Sequence, residues 1–242
     1  MNAWGVTDTG KIRRQNQDSF HIDVGSGNAV LIVCDGMGGA KAGNIASRLA
    51  VDTVTGELRQ VMKHHMSVKA ARQGLEMAVY RANRVITEYA GSNPDYLGMG
   101  TTFVGAVANA RMAVVANVGD SRAYHINDGG ITRVTRDHSL VEDLLHQGNL
   151  TEDQARFHPK KNLITRALGT EFDVQTDLFD VPLETGDFLL LCSDGLTNMV
   201  DDQEILYEVI HGGDAALCCE RLVALSNERG GPDNITVILF SV

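Results

Sequence analysis

Short apolar runs joined by tight polar turns constrain this fold more than any other feature of the sequence. Residues 102–108 and 112–118 are rich in strand-forming side chains, and only three residues join them, which is typical of a β-hairpin. The runs 121–126 and 131–134 flank an Asn-Asp-Gly-Gly turn in the same way. Because hairpins need no crossover helix, we expect mainly antiparallel sheets. Three further runs are predicted strands: 28–34, 187–193 and 234–242.

The helical pattern completes the expected architecture. Apolar side chains recur every three or four residues over 67–90, which predicts an amphipathic helix. Residues 43–62 and 214–228 have the same pattern. Helices therefore follow the first strand and precede the last one. This order indicates an α+β sandwich whose helices cover the outer faces of the sheets.

Composition limits the classes of protein that fit. The chain has 242 residues, is 43% apolar and contains no repeat or Pro/Ser-rich linker, so we expect one domain over 1–242. A formal net charge of −10 argues against general nucleic-acid binding. The four cysteines form no CxxC pair, which favours reduced thiols. With no signal peptide and no stretch apolar enough for membrane insertion, a monomer in the cytoplasm is expected.

Three apolar runs end in an aspartate at a glycine-containing turn, namely at Asp35, Asp120 and Asp194. A fourth aspartate, Asp233, lies just before the last run. A single aspartate of this kind is usually a turn former. Four that converge would repel one another and need a compensating cation, and oxygen ligands suit Mn²⁺ or Mg²⁺ better than Zn²⁺. Spacing along the chain does not show convergence, so the turn and the metal site both remain open interpretations.

A basic stretch near the start is a candidate phosphate-binding segment. Residues 11–18 read KIRRQNQD. They are compatible with a solvated turn or with an arginine that binds phosphate through two parallel hydrogen bonds. The sequence contains no P-loop, no HExxH and no GxSxG motif, which excludes those routes to phosphate transfer or hydrolysis.

Taken together and in order, the motifs resemble the metal-dependent (type 2C, PPM) protein Ser/Thr phosphatases in their compact bacterial form. The similarity covers nearly the whole chain apart from the helical stretch at 50–95. The matching pieces are GKIRRQNQDSF at 10–20, CDGMGGAKAG at 34–43, GMGTT at 98–102, NVGDSRAY at 117–124, RDHSLVEDLLHQG at 136–148, NLITRALG at 162–169, CSDGLTNMV at 192–200 and GGPDNITVILF at 230–240. The resemblance implies a four-layer αββα sandwich of two mainly antiparallel sheets.

The resemblance also implies a binuclear Mn²⁺ or Mg²⁺ centre with two tight sites and a weaker third. Position by position, Asp35 would bridge the two metals and the Gly36 carbonyl would ligate one of them. Asp194 and Asp233 would ligate the other metal. Asp120 would bind the third metal together with Asp194. Two residues would act in catalysis: Asp18 would hold a metal-bound water, and Arg13, rather than its neighbour, would bind the phosphate.

The implied activity is hydrolysis of phosphoserine and phosphothreonine on proteins by a metal-activated water. Some relatives have a proposed general-acid histidine directly after the Asp-Gly pair, where this chain has Met37. A metal-bound water is therefore the expected proton donor. Two alternatives are a metal-dependent phosphoesterase acting on small molecules and a non-catalytic homologue that binds phosphoproteins. The presence of Asp35, Asp194 and Asp233 argues against the second alternative.

The implied partners are a phosphoprotein substrate and a cognate bacterial Ser/Thr kinase system, which in some relatives regulates type VI secretion. Residues 139–165, here named the flap segment, correspond to the family's flap subdomain. They include HPKKN at 158–162, a basic stretch in an acidic chain. It is compatible with a solvated loop or with contact to an acidic phosphopeptide.

Overall fold

The computed structural model describes residues 1–25, 27–61, 67–151, 154–155 and 158–242. The strands in these residues are β1 Asn2–Asp8, β2 Asp18–Val24, β3 Ala29–Met37, β4 Gly100–Thr101, β5 Phe103–Ala108, β6 Met112–Val118, β7 Arg122–Asn127, β8 Gly130–Arg133, β9 Asp177–Pro182, β10 Phe188–Cys192 and β11 Ile235–Ser241. The helices are α1 Gly39–Val61, α2 Val68–Ser92, α3 Leu140–His146, α4 Asp194–Thr197, α5 Asp202–His211 and α6 Ala215–Glu228, with a 3₁₀ turn at Pro94–Tyr96.

The strands form two sheets. One has five strands in the order β1-β11-β10-β7-β8, and the other has the order β2-β3-β5-β6-β9 with β4 added to the end of β3. Every pairing among the described strands is antiparallel. Strands β5 and β6 form one predicted hairpin, and β7 and β8 form the other. The prediction of mainly antiparallel sheets is confirmed.

Three apolar layers hold the sandwich together. Side chains of a single strand alternate between two of these layers. In β3, Ile32 and Cys34 pack towards α1 and α2, whereas Leu31 and Val33 pack between the sheets. In β11, Phe240 packs between the sheets, whereas Val237 and Leu239 face the layer that includes α5 and α6. Successive side chains of a strand point to opposite faces. Both central strands are therefore buried on two sides, and the predicted four-layer αββα order is confirmed.

Several elements were not predicted from the sequence. Strands β1, β2 and β9 lie at sheet edges, and most of their residues are only partly buried. Their apolar signal is correspondingly weak. Helix α5 was also missed. The predicted run 28–34 continues to Met37, because Gly36 and Met37 pair with β4. Asp35 therefore lies within a strand rather than after it.

Two further expectations concern the cysteines and the membrane. All four cysteines are buried and free, as expected for reduced thiols. No helix in the described part of the chain has an apolar stretch long enough to cross a bilayer. In the flap segment, residues 152–153 and 156–157 lie outside the described residues.

Candidate metal centre

The four strand-associated aspartates face one cavity of about 640 Å³. Asp35 comes from β3 in the six-stranded sheet, and Asp194 begins α4 directly after β10 of the other sheet. Asp120 lies in the turn from β6 to β7, where the chain passes between the sheets, and Asp233 precedes β11. The fold thus brings together carboxylates from positions that are far apart in the sequence.

Burial and mutual repulsion raise the pKa of these carboxyl groups. Burial, together with the Asp233 carboxylate, raises the pKa of Asp194 to about 6, although hydrogen bonds oppose the shift. Burial and the charge of Asp194 raise the pKa of Asp120 to about 8. Burial and the surrounding carboxylates raise the pKa of Asp35 well above its usual range. A cation among these groups would favour their charged forms and reverse the shifts.

Asp18 lies behind Asp35, paired with it across β2 and β3. Its Oδ2 atom accepts hydrogen bonds from Ser193 Oγ at 2.8 Å and from Thr236 Oγ1 at 2.6 Å. Burial raises the pKa of Asp18 to about 6, and these two hydrogen bonds oppose the shift. Two hydroxyl groups of the five-stranded sheet thereby fix a carboxylate of the other sheet at the rear of the cluster.

Arg13 and Arg14 both line the cavity. The Arg13 Nη2 atom donates to Asp233 Oδ2 at 2.7 Å, and the Arg13 side chain is 50% exposed. An exposed ion pair of this kind contributes little to stability. The ion pair instead holds the Arg13 guanidinium group beside the carboxylates of the cavity.

The side chains fit a hard divalent cation. Asp18 Oδ1 and Asp194 Oδ1 are buried and have no hydrogen-bond partner among the described residues. Leaving such acceptors unsatisfied is costly, and carboxylate oxygens are the ligands that Mg²⁺ and Mn²⁺ prefer. Within the described residues, no three His, Cys, Asp or Glu side chains already stand in a metal-ligating arrangement. Asp233 Oδ2 is instead bound to Arg13.

Comparison with known proteins decides the family. The model of the protein phosphatase 2C family matches residues 11–216. The serine/threonine phosphatase Stp of Listeria monocytogenes is 39% identical over 240 residues, which cover 99% of this chain and 95% of Stp. The chain belongs to the protein phosphatase 2C family.

Solved structures of the phosphatase 2C family agree with this fold. The crystal structure of Stp1 from Staphylococcus aureus matches with a TM-score of 0.92 and 38% identity, covering 99% of this chain and 94% of that one. The catalytic domain of the phosphatase PstP, solved in complex with two manganese ions, matches with a TM-score of 0.84 and 33% identity. That match covers 98% of this chain and 96% of the solved catalytic-domain chain.

Asn234 is a site residue of this phosphatase 2C chain that sequence reasoning missed. It is buried next to Asp233, and its Oδ1 accepts from the Gln17 N–H at 2.8 Å. Its Nδ2 donates to the carbonyls of Thr9 and Gln15 at 2.9 and 3.0 Å. One amide side chain thus fixes both ends of the loop that carries Arg13. The only signal in the sequence was an amide residue directly before an apolar strand.

Close backbone contacts explain two glycines of the site. A Cβ on Gly36 would lie 2.1 Å from the Gly43 carbonyl oxygen, so β3 meets the start of α1 backbone to backbone. A Cβ on Gly195 would lie 1.9 Å from the Asn234 carbonyl oxygen. These contacts bring the main chain at Gly36 and Asp194 to the cavity and leave no room for a side chain.

The remaining lining residues include no evident proton donor among the described side chains. Met37 lines the cavity, and its thioether has no proton to donate. Among the described lining residues there is no His, Lys, Cys or Tyr.

The flap segment also contributes to the cavity, because Asn162 and Ile164 line it. Lys161 of the same segment contacts Asn198, which donates to Asp194 Oδ2 at 2.9 Å.

Proposed function

We propose that this chain is a protein Ser/Thr phosphatase that hydrolyses phosphoserine and phosphothreonine with a water activated by divalent cations. The observation that carries the proposal is the single cavity in which four aspartates and two arginines meet. Anionic ligands would be repelled by carboxylates alone, but the same cavity fits a phosphate once cations neutralise them. Family membership and the manganese complex of PstP support dependence on divalent metal.

Five residues are the proposed metal ligands. Asp35 would bridge two cations, one of them also bound by the Gly36 carbonyl and the other by Asp194 and Asp233. Asp120 would join Asp194 in a weaker third site. Bound Mn²⁺ or Mg²⁺ supplies Lewis acidity, which lowers the pKa of a water enough for attack on phosphorus near neutral pH.

Arg13 and Asp18 position the reactants. The guanidinium of Arg13 has a planar fork of donors that suits two phosphate oxygens, and its bond to Asp233 supports a location beside the metal ligands. Asp18 is held through Oδ2 by two hydroxyl groups. Its other oxygen, Oδ1, has no partner among the described residues, so it is available to accept a hydrogen bond from the attacking water.

Direct attack by water fits the side chains of the cavity. Thr102 is the one hydroxyl residue among the described lining residues. Its Oγ1 accepts from the Asp35 N–H at 3.0 Å and contacts Ser121 Oγ at 2.7 Å, so it is not a free nucleophile. The described lining residues thus offer no free hydroxyl nucleophile, which supports direct attack by water. Because Met37 cannot act as an acid, the leaving alkoxide takes its proton from water in the cavity.

The substrate is a phosphorylated protein whose backbone passes the flap segment. Lys160 and Lys161 of this segment are exposed and carry positive charge on an acidic chain, which favours an acidic phosphopeptide. A kinase that phosphorylates Ser and Thr residues of the same proteins is the partner that this activity requires. The segment 139–165 acts as a flap within a single catalytic domain.

The test is hydrolysis of a phosphothreonine peptide after EDTA treatment, and again with Mn²⁺ restored. The wild type is compared with Asp194→Asn and with Asp180→Asn, which removes an exposed carboxylate outside the cavity. The wild type and Asp180→Asn should regain activity with Mn²⁺, and Asp194→Asn should not. Activity that resists EDTA equally in all three proteins would refute the metal mechanism. Faster turnover of nucleotides or sugar phosphates than of peptides would favour the small-molecule alternative.

A further inference from the structure

His138 makes a double contact with the turn that carries Asp120. The His138 N–H donates to the Gly119 carbonyl at 2.9 Å. In the other direction, the Gly119 N–H donates to His138 Nδ1 at 3.0 Å. His138 is only 7% exposed, so both hydrogen bonds are shielded from water. Both polar groups of the residue before Asp120 are therefore bound by one histidine, and the Gly119 carbonyl also accepts from Asn117 Nδ2 at 3.3 Å.

The turn itself needs this external support. Gly119 has φ +112°, a conformation that only glycine adopts readily. A Cβ at this position would also lie 2.7 Å from Thr102 Cβ, so a less flexible residue is not accommodated. Since glycine restricts its own backbone least, neighbouring hydrogen bonds must set the direction in which Asp120 leaves the turn.

The imidazole of His138 is itself held in one orientation. Because Nδ1 accepts from Gly119, the ring proton is on Nε2, which lies 3.2 Å from Asp177 Oδ2 and donates to it. Arg166 Nη1 also lies 3.0 Å from Nε2. Arg166 Nη1 donates to the other oxygen of Asp177 at 2.9 Å. Burial lowers the pKa of His138, which keeps the ring neutral and this tautomer in place.

The main chain at His138 and Ser139 also pairs with the segment that supplies the lining residue Ile164. The His138 carbonyl accepts from the Thr165 N–H at 2.8 Å, and the next residue, Ser139, pairs with Ile164. Ile164 and Asp120 both line the cavity. His138 therefore joins a candidate metal ligand to the end of the flap segment.

We propose that His138 is a positioning residue that sets the orientation of Asp120 and thereby the affinity of the weakest cation site. The inference rests on the proposed function, because Asp120 has a role only if the cavity binds cations. His138 is not among the described residues that line the cavity. Its effect is transmitted through the Gly119 peptide groups. Residues that orient metal ligands in this way typically change metal affinity by about 10- to 100-fold.

A second histidine–aspartate pair provides a matched control for a purely structural role. His125 Nε2 lies 2.7 Å from Asp187 Oδ2, and both side chains are largely buried. This pair joins β7 to the start of β10, and neither residue lines the cavity. Loss of His125 should lower thermal stability and leave cation binding unchanged.

The experiment compares His138→Ala, His138→Asn and His125→Ala, with the first also made in an Asp120→Asn background. Asparagine at position 138 carries an oxygen close to the place of Nδ1 and so keeps an acceptor for the Gly119 N–H. Mn²⁺ binding is followed by the electron paramagnetic resonance signal of free Mn²⁺, and the Mn²⁺ dependence of phosphopeptide hydrolysis is measured in parallel. Melting temperatures verify that each variant is folded.

We expect His138→Ala to weaken the weakest class of Mn²⁺ sites by about tenfold or more, with recovery in His138→Asn. In the Asp120→Asn background, His138→Ala should cause no further loss. Wild-type affinity in folded His138→Ala, or an equal loss in the Asp120→Asn background, would overturn the inference. If the wild type hydrolyses phosphopeptide and His138→Ala binds Mn²⁺ as His125→Ala does, the inference is refuted and the proposed function stands. A wild type that binds no Mn²⁺ would refute both.

Discussion

Removal of divalent cations should make the stability of this protein fall as the pH rises from about 4 to about 8. Asp194 shows why. Its carboxyl group loses its proton at the ordinary value of 3.8 in the unfolded chain, but burial and Asp233 raise the pKa in the folded protein to about 6. Between these values the folded state binds more protons, so stability decreases with rising pH. The loss from this group is complete above its folded pKa, and Asp120, at about 8, extends the window upward.

The size of the effect follows from the shift. A difference of about two pKa units corresponds to about 3 kcal/mol at about 1.4 kcal/mol per unit. For a domain of this length, 1 kcal/mol changes the melting temperature by about 2–4 °C, so the ionised Asp194 should lower it by about 6–12 °C. Because the carboxylates interact, this loss belongs to the cluster as a whole rather than to Asp194 alone.

The assay is differential scanning calorimetry in EDTA across this pH range, on wild type and Asp194→Asn. Asparagine retains the oxygen that accepts from Asn198 and lacks the charge. The difference between the two curves gives the contribution of the Asp194 carboxyl group within the coupled cluster. In EDTA the variant should become the more stable protein as the pH rises. With Mn²⁺ the order should reverse, because a bound cation stabilises the folded wild type. Parallel curves in EDTA would refute the reasoning.

Three substitutions, with one control substitution, test how the site is built. Asn234→Ala removes three hydrogen bonds, so calorimetry should show a loss of about 3 kcal/mol at about 1 kcal/mol per bond, with a higher KM for phosphopeptide. Gly36→Ala should lower both Mn²⁺ affinity and melting temperature, since its Cβ would meet the main chain. Gly56→Ala, whose Cβ meets nothing within 4 Å, should stabilise helix α1 by up to about 1 kcal/mol and serves as its control. Arg13→Met should raise KM and the inhibition constant of inorganic phosphate by about tenfold or more while Mn²⁺ binding persists, and an unchanged inhibition constant would contradict its role.

The sequence predicted the strands that are buried on both faces and, through its turn, the edge strand β8, but it missed the edge strands β1, β2 and β9. Strands β3, β5, β10 and β11 read as continuous apolar runs because helices cover one face and the other sheet covers the second. Edge strands such as β2 are paired on one side and partly exposed. Their side chains are mixed in polarity, so periodicity alone does not identify them.

Helix α5 was missed although the sequence contained a signal for it. Asp201 and Glu204 form a capping box, in which each side chain bonds the backbone N–H of the other residue. The spacing of an N-cap aspartate and a glutamate three residues later is readable from sequence. The helix is ten residues long and buries only Ile205 and Val209, so its apolar pattern is short.

The sequence indicated which side chains the site contains, but it did not show how they are arranged in space. Carboxylates at strand ends suggested a metal site, but only the fold shows that Asp35 and Asp194, from different sheets, face one cavity. Asn234 and His138 were not predicted to belong to the site. Asn234 acts through hydrogen bonds to residues more than 200 positions away, and His138 acts through a turn 19 residues earlier. No local pattern encodes such contacts.

The central claim is that these aspartates bind the cations that activate water. The most direct measurement is the anomalous scattering of manganese in crystals grown with Mn²⁺. We predict two strong peaks in the cavity, one within ligand distance of Asp35 and the Gly36 carbonyl and the other within ligand distance of Asp35, Asp194 and Asp233, with a weaker peak at Asp120. An enzyme that is active in Mn²⁺ but shows no peak among these residues would contradict the account.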